Sequence, residues 1–379
     1  MIKSKFSAFK LPSLQTPSSR GNQHTGAPTA PGLNPGGLNR PGATPRSPQL
    51  QDSFGQSRGL PSAGTPSAGP SMWSRMNPSN LFTPSPARQQ QAAIKQDAAS
   101  LQNVPGGFPA PTGLYHATST AAWNGMSKTG GLVPASMLNQ HGIQRVTGEG
   151  DQFSKQAGEK DFISFGQGPK GLGTSRAYFQ QTANSPSYSP HLYSDAQLSD
   201  EIAQSKKLLA NWNLPEGRVV GDMVDKPRVE ARLRHLEAEQ SMRKNMPGRE
   251  TPYPIMFDFK GDNLNAKPMG MGPGEAAVHG PVMFKDNLQR MFVPADKVKD
   301  MQARLDATMG PGHNVQVLSF EGQTKFLEQQ KKANGANASN PAYLALREDG
   351  VVSSNLNRME SNRQTFYNMA GENLNVPTL

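Results

Sequence analysis

Three residues of chemically useful type stand at the edges of segments that read as strands. His116 closes the short apolar run Gly113, Leu114, Tyr115. Ser164 lies inside FISF at 162–165, and Glu275 follows the glycine-rich loop GMGPG at 270–274 and opens EAAVH. A strand end holds its backbone rigidly while the side chain points off the sheet, a position from which clefts are often lined. On pattern alone His116 also reads as an ordinary, partly buried histidine. The chain has no cysteine, which excludes thiol nucleophiles, thiolate metal sites and disulfides. No His, Asp and Glu spacing matches a zinc site, so no metal is expected. His141 and His279 read as turn or surface residues. The chemistry left to such a set is hydrogen bonding and placed charge.

The elements that must position these residues follow from periodicity. Thr118 or Ser119 is a candidate cap for a short helix carrying Trp123 and Met126, stopped by Gly130 and Gly131. The polar stretch 132–161 reads as a long connection. In FISF, Ser164 points opposite Ile163 and Phe165, and Ser175 is expected to cap a short helix with Ala177, Tyr178 and Phe179. Asp195 to Trp212 and Asp225 to Met246 are predicted helices. The second interleaves Arg with Glu230, Glu237 and Glu239, which makes it a solvated face rather than a phosphate site. YPIMFDFKG, EAAVH, the stretch ending MFVP, and NVQVLS supply further strands, with a helix from Ala295 to Thr308 before the last.

Composition divides the chain. Hydrophobic residues make up 34% of it, with 38 Gly and 33 Pro, and mean hydropathy is −0.64. The apolar deficit concentrates in residues 1–109, where runs such as GLPSAGTPSAGPS show neither helical nor strand period and cannot offset their ordering entropy. This segment is expected to be a disordered, Pro/Gly/Ser-rich basic tail. Residues 110–326 are expected to form one folded domain, and residues 327–379 a loosely ordered C-terminal region with one helix near 355–369. Of the net charge of +10, residues 1–109 hold four Lys, six Arg and two Asp, a net +8. The folded part is therefore nearly neutral, and nucleic acid is not its expected partner. No apolar run reaches the ~18 residues of a membrane span, so no membrane is expected. The N-terminus is basic and Ser-rich without the apolar core of a signal peptide. It reads as a transit-like leader, a leader like those of bacterial type III secretion effectors, or a solvated tail.

In order and local wording, LYHATS with AW and GGLVP, DFISFG with AYF, and GEAAVHGPVMFKDNLQRMFVP resemble the three motifs of the mono-ADP-ribosyltransferase superfamily. The resemblance spans roughly residues 113–320. It implies an α+β fold, a split mixed β-sandwich with flanking helices, and NAD as substrate. Breaking the nicotinamide–ribose bond passes through an oxocarbenium-like sugar, so negative charge must be placed beside it. By resemblance, Glu275 is the catalytic carboxylate and Ser164 braces it. His116 and Thr118 would hold the dinucleotide, and Tyr178 would stack on nicotinamide, with Tyr115 or Phe165 as substitutes. The chain departs from the family pattern in pairing His116 with Ser164, and in having Pro273 two residues before the Glu where many toxins carry Glu or Gln. The acceptor residue therefore stays open. The implied setting is a secreted effector acting on a host protein in the host cytoplasm, with a secretion chaperone on the tail. An NAD glycohydrolase, a nucleic-acid ADP-ribosyltransferase and a non-catalytic interaction protein of the same fold stand as alternatives.

Overall fold

The structure is a computed structural model that describes residues 85–142, 161–212, 226–269 and 274–371. The tail before residue 85, most of the expected long connection and the loop residue Pro273 lie outside the described residues. In chain order the elements are α1 (Pro86–Gln102), β1 (Leu114–Ser119), α2 (Trp123–Thr129), β2 (Gly131–Leu132), α3 (Ala135–Leu138), β3 (Phe162–Gln167), α4 (Gly168–Asn184), α5 (Asp195–Ala210) and α6 (Lys226–Asn245). There follow β4 (Pro254–Phe259), β5 (Lys267–Pro268), β6 (Glu275–His279), β7 (Val282–Met283), α7 (Phe284–Asn287), β8 (Leu288–Val293), α8 (Val298–Met309), β9 (Gln316–Ser319), α9 (Phe320–Asn334) and α10 (Pro341–Gly371).

Seven strands make one sheet in the order β5-β6-β3-β1-β4-β8-β9, antiparallel except for the β8–β9 pair, and β2 with β7 makes a second, two-stranded sheet. This is a mixed α+β architecture with helices flanking the sheet. Both faces of the large sheet are covered. One packs Leu114, Phe165, Phe257 and Val278 against Trp123, Phe284, Met301 and Leu305. The other packs Tyr115, Met256, Phe292 and Leu318 against Leu101, Leu172, Phe179, Phe326 and Ala345. Burial on both sides is why all six residues of β4 are buried and why its sequence shows a continuous apolar run rather than alternation.

Two expected boundaries move. Disorder was expected through residue 109, yet α1 begins at Pro86 and is capped by Ser85, whose hydroxyl accepts from the Arg88 amide. Ala98 and Leu101 of this helix are buried, and Asp97 accepts from the Ser319 amide at 2.9 Å. The C-terminal region is likewise part of the fold. In α10, Ala342 and Ala345 enter the core, and Asp349 accepts from the buried Arg176 of α4 at 3.0 Å. Arg176 also donates to Gln323 and Thr324 of α9, so one guanidinium joins three helices. A satellite cluster of Leu198, Ile202 and Leu236 joins α5 to α6. The α6 charges were expected to form a solvated face, whereas Arg232 pairs with Glu201 of α5, and Arg243 with Asp195 of α5 and with Glu239, with both glutamates buried. Among the described residues no helix is long and apolar enough to cross a membrane.

Candidate active site

The three strands that carry His116, Ser164 and Glu275 are neighbours, in the order β6-β3-β1. β3 pairs with β6 over five residues, Gly166 opposite Glu275 and Ser164 opposite Ala277. β1 pairs with β4 along its whole length but with β3 only at Leu114–Gln167 and Tyr115–Gly166. Beyond Tyr115 the ladder between β1 and β3 stops, leaving a notch whose apex is His116. The strand was expected to end at His116. It runs to Ser119 because the β4 ladder continues, and a 3-10 turn at 120–122 then leads into α2 without a side-chain cap from Thr118 or Ser119.

At the notch, His116 Nδ1 lies 2.9 Å from the Ser164 carbonyl oxygen. A carbonyl only accepts, so Nδ1 carries the proton. Burial pushes the imidazole pKa below its ordinary value, against the opposing pull of that hydrogen bond. The ring is therefore neutral, with Nε2 an acceptor. Register also sets its direction. His116 faces Phe257 across β4 and packs edge-on against Phe165, on one side of the sheet. Ser164, Gly166, Ala277 and Glu275 face the other.

On that second side, Glu275 opens β6 directly after Gly274, whose φ of 91° glycine accepts readily. Burial raises its carboxyl pKa, and no ion pair holds it among the described residues. Ser164 is exposed and diagonal to it in the ladder, a spacing of about 7–8 Å. The hydroxyl does not brace the carboxylate as expected. It points at the Met269 sulfur, 3.8 Å away. A close backbone contact fixes the neighbourhood: a Cβ on Gly171 of α4 would lie 2.1 Å from the Gly166 carbonyl carbon and 2.8 Å from the Gly274 oxygen. Glycine at all three positions lets α4 seat against β3 and the residue before Glu275. Tyr178 lies seven residues after Gly171, on the same face of α4 and about 10 Å further along it. It is 41% exposed, with its ring edge-on to Tyr188.

Other expected site residues sit elsewhere. Tyr115 is fully enclosed among Phe108 and the helices, and Phe165 is buried between His116 and Phe259, so neither ring offers a face to a ligand. Tyr115 shares the register row of Glu275 but is packed with Leu101 and Leu172, and Phe165 alternates with Ser164 onto the opposite, His116 face. Ser175 lies buried inside α4 rather than at its start, which is Gly168. Thr118 is half-buried on the His116 side of β1. His279 is exposed at the end of β6, and no three His, Asp or Glu converge as metal ligands among the described residues. The sequence reading missed Met269 and the Gly166–Gly171–Gly274 contact, although the glycine spacing in FGQGPKGLG was a visible sign of close approach. A desolvated carboxylate with no ion pair among the described residues, on the same sheet face as an exposed hydroxyl, can accept a hydrogen bond from a sugar hydroxyl and stabilise nearby positive charge. No family model, curated protein or solved structure matches this chain.

Proposed function

We propose that the protein transfers ADP-ribose from NAD to a protein acceptor. The observation that carries this reading is that three sequence segments, separated by roughly fifty and one hundred residues, come to lie on three adjacent strands. Ser164 and Glu275 share one face there, with His116 at the notch between their strands and β1. In the reaction, the bond between ribose C1 and the nicotinamide nitrogen breaks and nicotinamide leaves neutral. The acceptor nucleophile bonds to C1 and gives up its proton to solvent. Glu275 holds the developing sugar cation and a ribose hydroxyl, Ser164 offers a second hydrogen-bonding group, and Tyr178 lends an aromatic wall. His116 acts as a positioning residue, fixing the Ser164 carbonyl through Nδ1 from the opposite side of the sheet. Delivery as a secreted effector, with a chaperone on the N-terminal region and a host cytoplasmic protein as target, belongs to the same proposal and rests on the leader's composition.

The test is the full chain incubated with NAD and a host-cell lysate, measuring nicotinamide release and labelled protein. Glu275→Ala should lower release by about 100-fold or more, the scale of losing a preorganised electrostatic group. Because the carboxylate must be ionised and burial raises its pKa, the acid limb of the rate should lie above the ordinary glutamate value of about 4.3. Absence of NAD turnover with every lysate would sink the reading, and unchanged turnover in Glu275→Ala would sink the assignment of that residue.

A further inference from the structure

The register row that begins at Glu275 crosses the sheet through Gly166, Tyr115 and Asp258 to Arg290, four strand spacings or about 19 Å away. At that far end a cavity of about 450 Å³ opens where the last turn of α1 and the chain after it face β4, β8 and β9. Arg290 lines it and is only 6% exposed. Its Nε donates to Asp258 at 2.7 Å, and the Phe108 ring lies 5.5 Å from its guanidinium carbon, which fixes the plane of the group. With Nε committed, the two Nη groups have no bonded partner among the described residues. Lys260, Asn103 and Gln316 add donors around the mouth, Val104 and Leu288 form an apolar wall, and no acidic residue among the described residues lines the cavity. Asp258 balances Arg290, so the surplus positive charge comes from Lys260.

We propose that this cavity binds a small organic anion, a carboxylate or a phosphate monoester. The fork of Arg290 and the ammonium of Lys260 take the charged group, and Val104 and Leu288 take the apolar body. A held guanidinium with free N–H groups matches the planar geometry of both anions, and the volume falls in the range of small-molecule sites. The inference shares no residue with the proposed NAD site and stands or falls separately from it.

Calorimetric titration of the full chain at constant ionic strength tests it, with phenyl phosphate and benzoate as probes and phenol as the neutral control. Saturable binding at about 1 mM or tighter is expected for at least one anion and none for phenol, and the tighter of the two identifies the charged group preferred. Lys260→Ala should weaken binding about fivefold. Arg290→Met together with Asp258→Leu, which removes both members of the buried pair and orphans neither, should abolish it. Lys260 is at the surface, so its variant folds and decides the matter if the double variant does not. No saturable heat from either anion up to about 20 mM, or undiminished affinity in Lys260→Ala, would overturn the proposal.

Discussion

Asp349→Ala should be among the most damaging single changes in the chain. The Arg176 guanidinium is 2% exposed, and its Nε bonds to Asp349 at 3.0 Å. Its other bonded and ring partners are neutral: Gln323 at 2.7 Å, Thr324 at 3.1 Å and the face of Phe320 at 4.4 Å. Removing the carboxylate leaves a buried cation with no bonded counter-charge and only the more distant Glu328 to oppose it, which costs about 3–5 kcal/mol. It also strips both acceptors from the Gln180 amide. At about 2–4 °C per kcal/mol for a domain of this size, the melting temperature should fall by roughly 10 °C. Thermal unfolding followed by circular dichroism measures this, with Glu237→Ala as control. Glu237 is 42% exposed in its pair with Lys206, and its loss should cost less than about 0.5 kcal/mol. Replacing both partners, as Arg176→Met with Asp349→Leu, should recover most of the loss, because no charge is then stranded. If Asp349→Ala melts with the control, α10 is not anchored through this pair and the reasoning fails.

Other outcomes follow from the glycines and the histidines. Gly171→Ala drives a methyl into the backbone at Gly166 and Gly274. It should cost on the order of 3 kcal/mol by denaturant titration and lower any NAD turnover, since the displaced residue precedes Glu275. Gly350→Ala lies in α10 with nothing within 4 Å of its added carbon, and should stabilise by about 0.5–1 kcal/mol in the same assay. Burial lowers the pKa of His116, His191 and His235, so the folded state binds fewer protons than the unfolded one. Stability should therefore be full above the unfolded pKa of about 6.5 and decline as pH falls below it. His116→Gln should make that decline shallower in unfolding measured from pH 8 to 5, and an unchanged slope would contradict a neutral buried His116.

Much of this was legible where apolar period and buried face coincide. YPIMFDFKG, EAAVH and the Leu288–Val293 strand were all readable, as were α5 and α6. The helix α1 was hidden by its neighbours. Its Ala and Gln content favours a helix and Ser85-Pro86 is a start signal, yet only Ala98 and Leu101 reach the core, too few to stand out after a Pro/Gly-rich run. In α10 the decisive contact is polar, Asp349 to Arg176, and apolar periodicity cannot show it. At the site, residue types and the strands that carry them were readable in the sequence, but not the order of those strands in the sheet. Which face each side chain takes was not: that depends on the ladder register, which puts His116 and Glu275 on opposite sides of the sheet.

The notch between β1 and β3 gives the large sheet a mechanical seam. On one side β5, β6 and β3 form a half-sheet, on the other β1, β4, β8 and β9 form a second, and among the described residues two ladder pairs, the Gly168 amide donating to the Gly113 carbonyl, and the His116 imidazole sew them together. Helix α4 packs on β3, β1 and β4 at once and so lies across the seam as a splint. Shear between the halves is resisted mainly by that helix. The anchoring of α4 at Arg176 therefore sets the stiffness of the gap in which His116 sits.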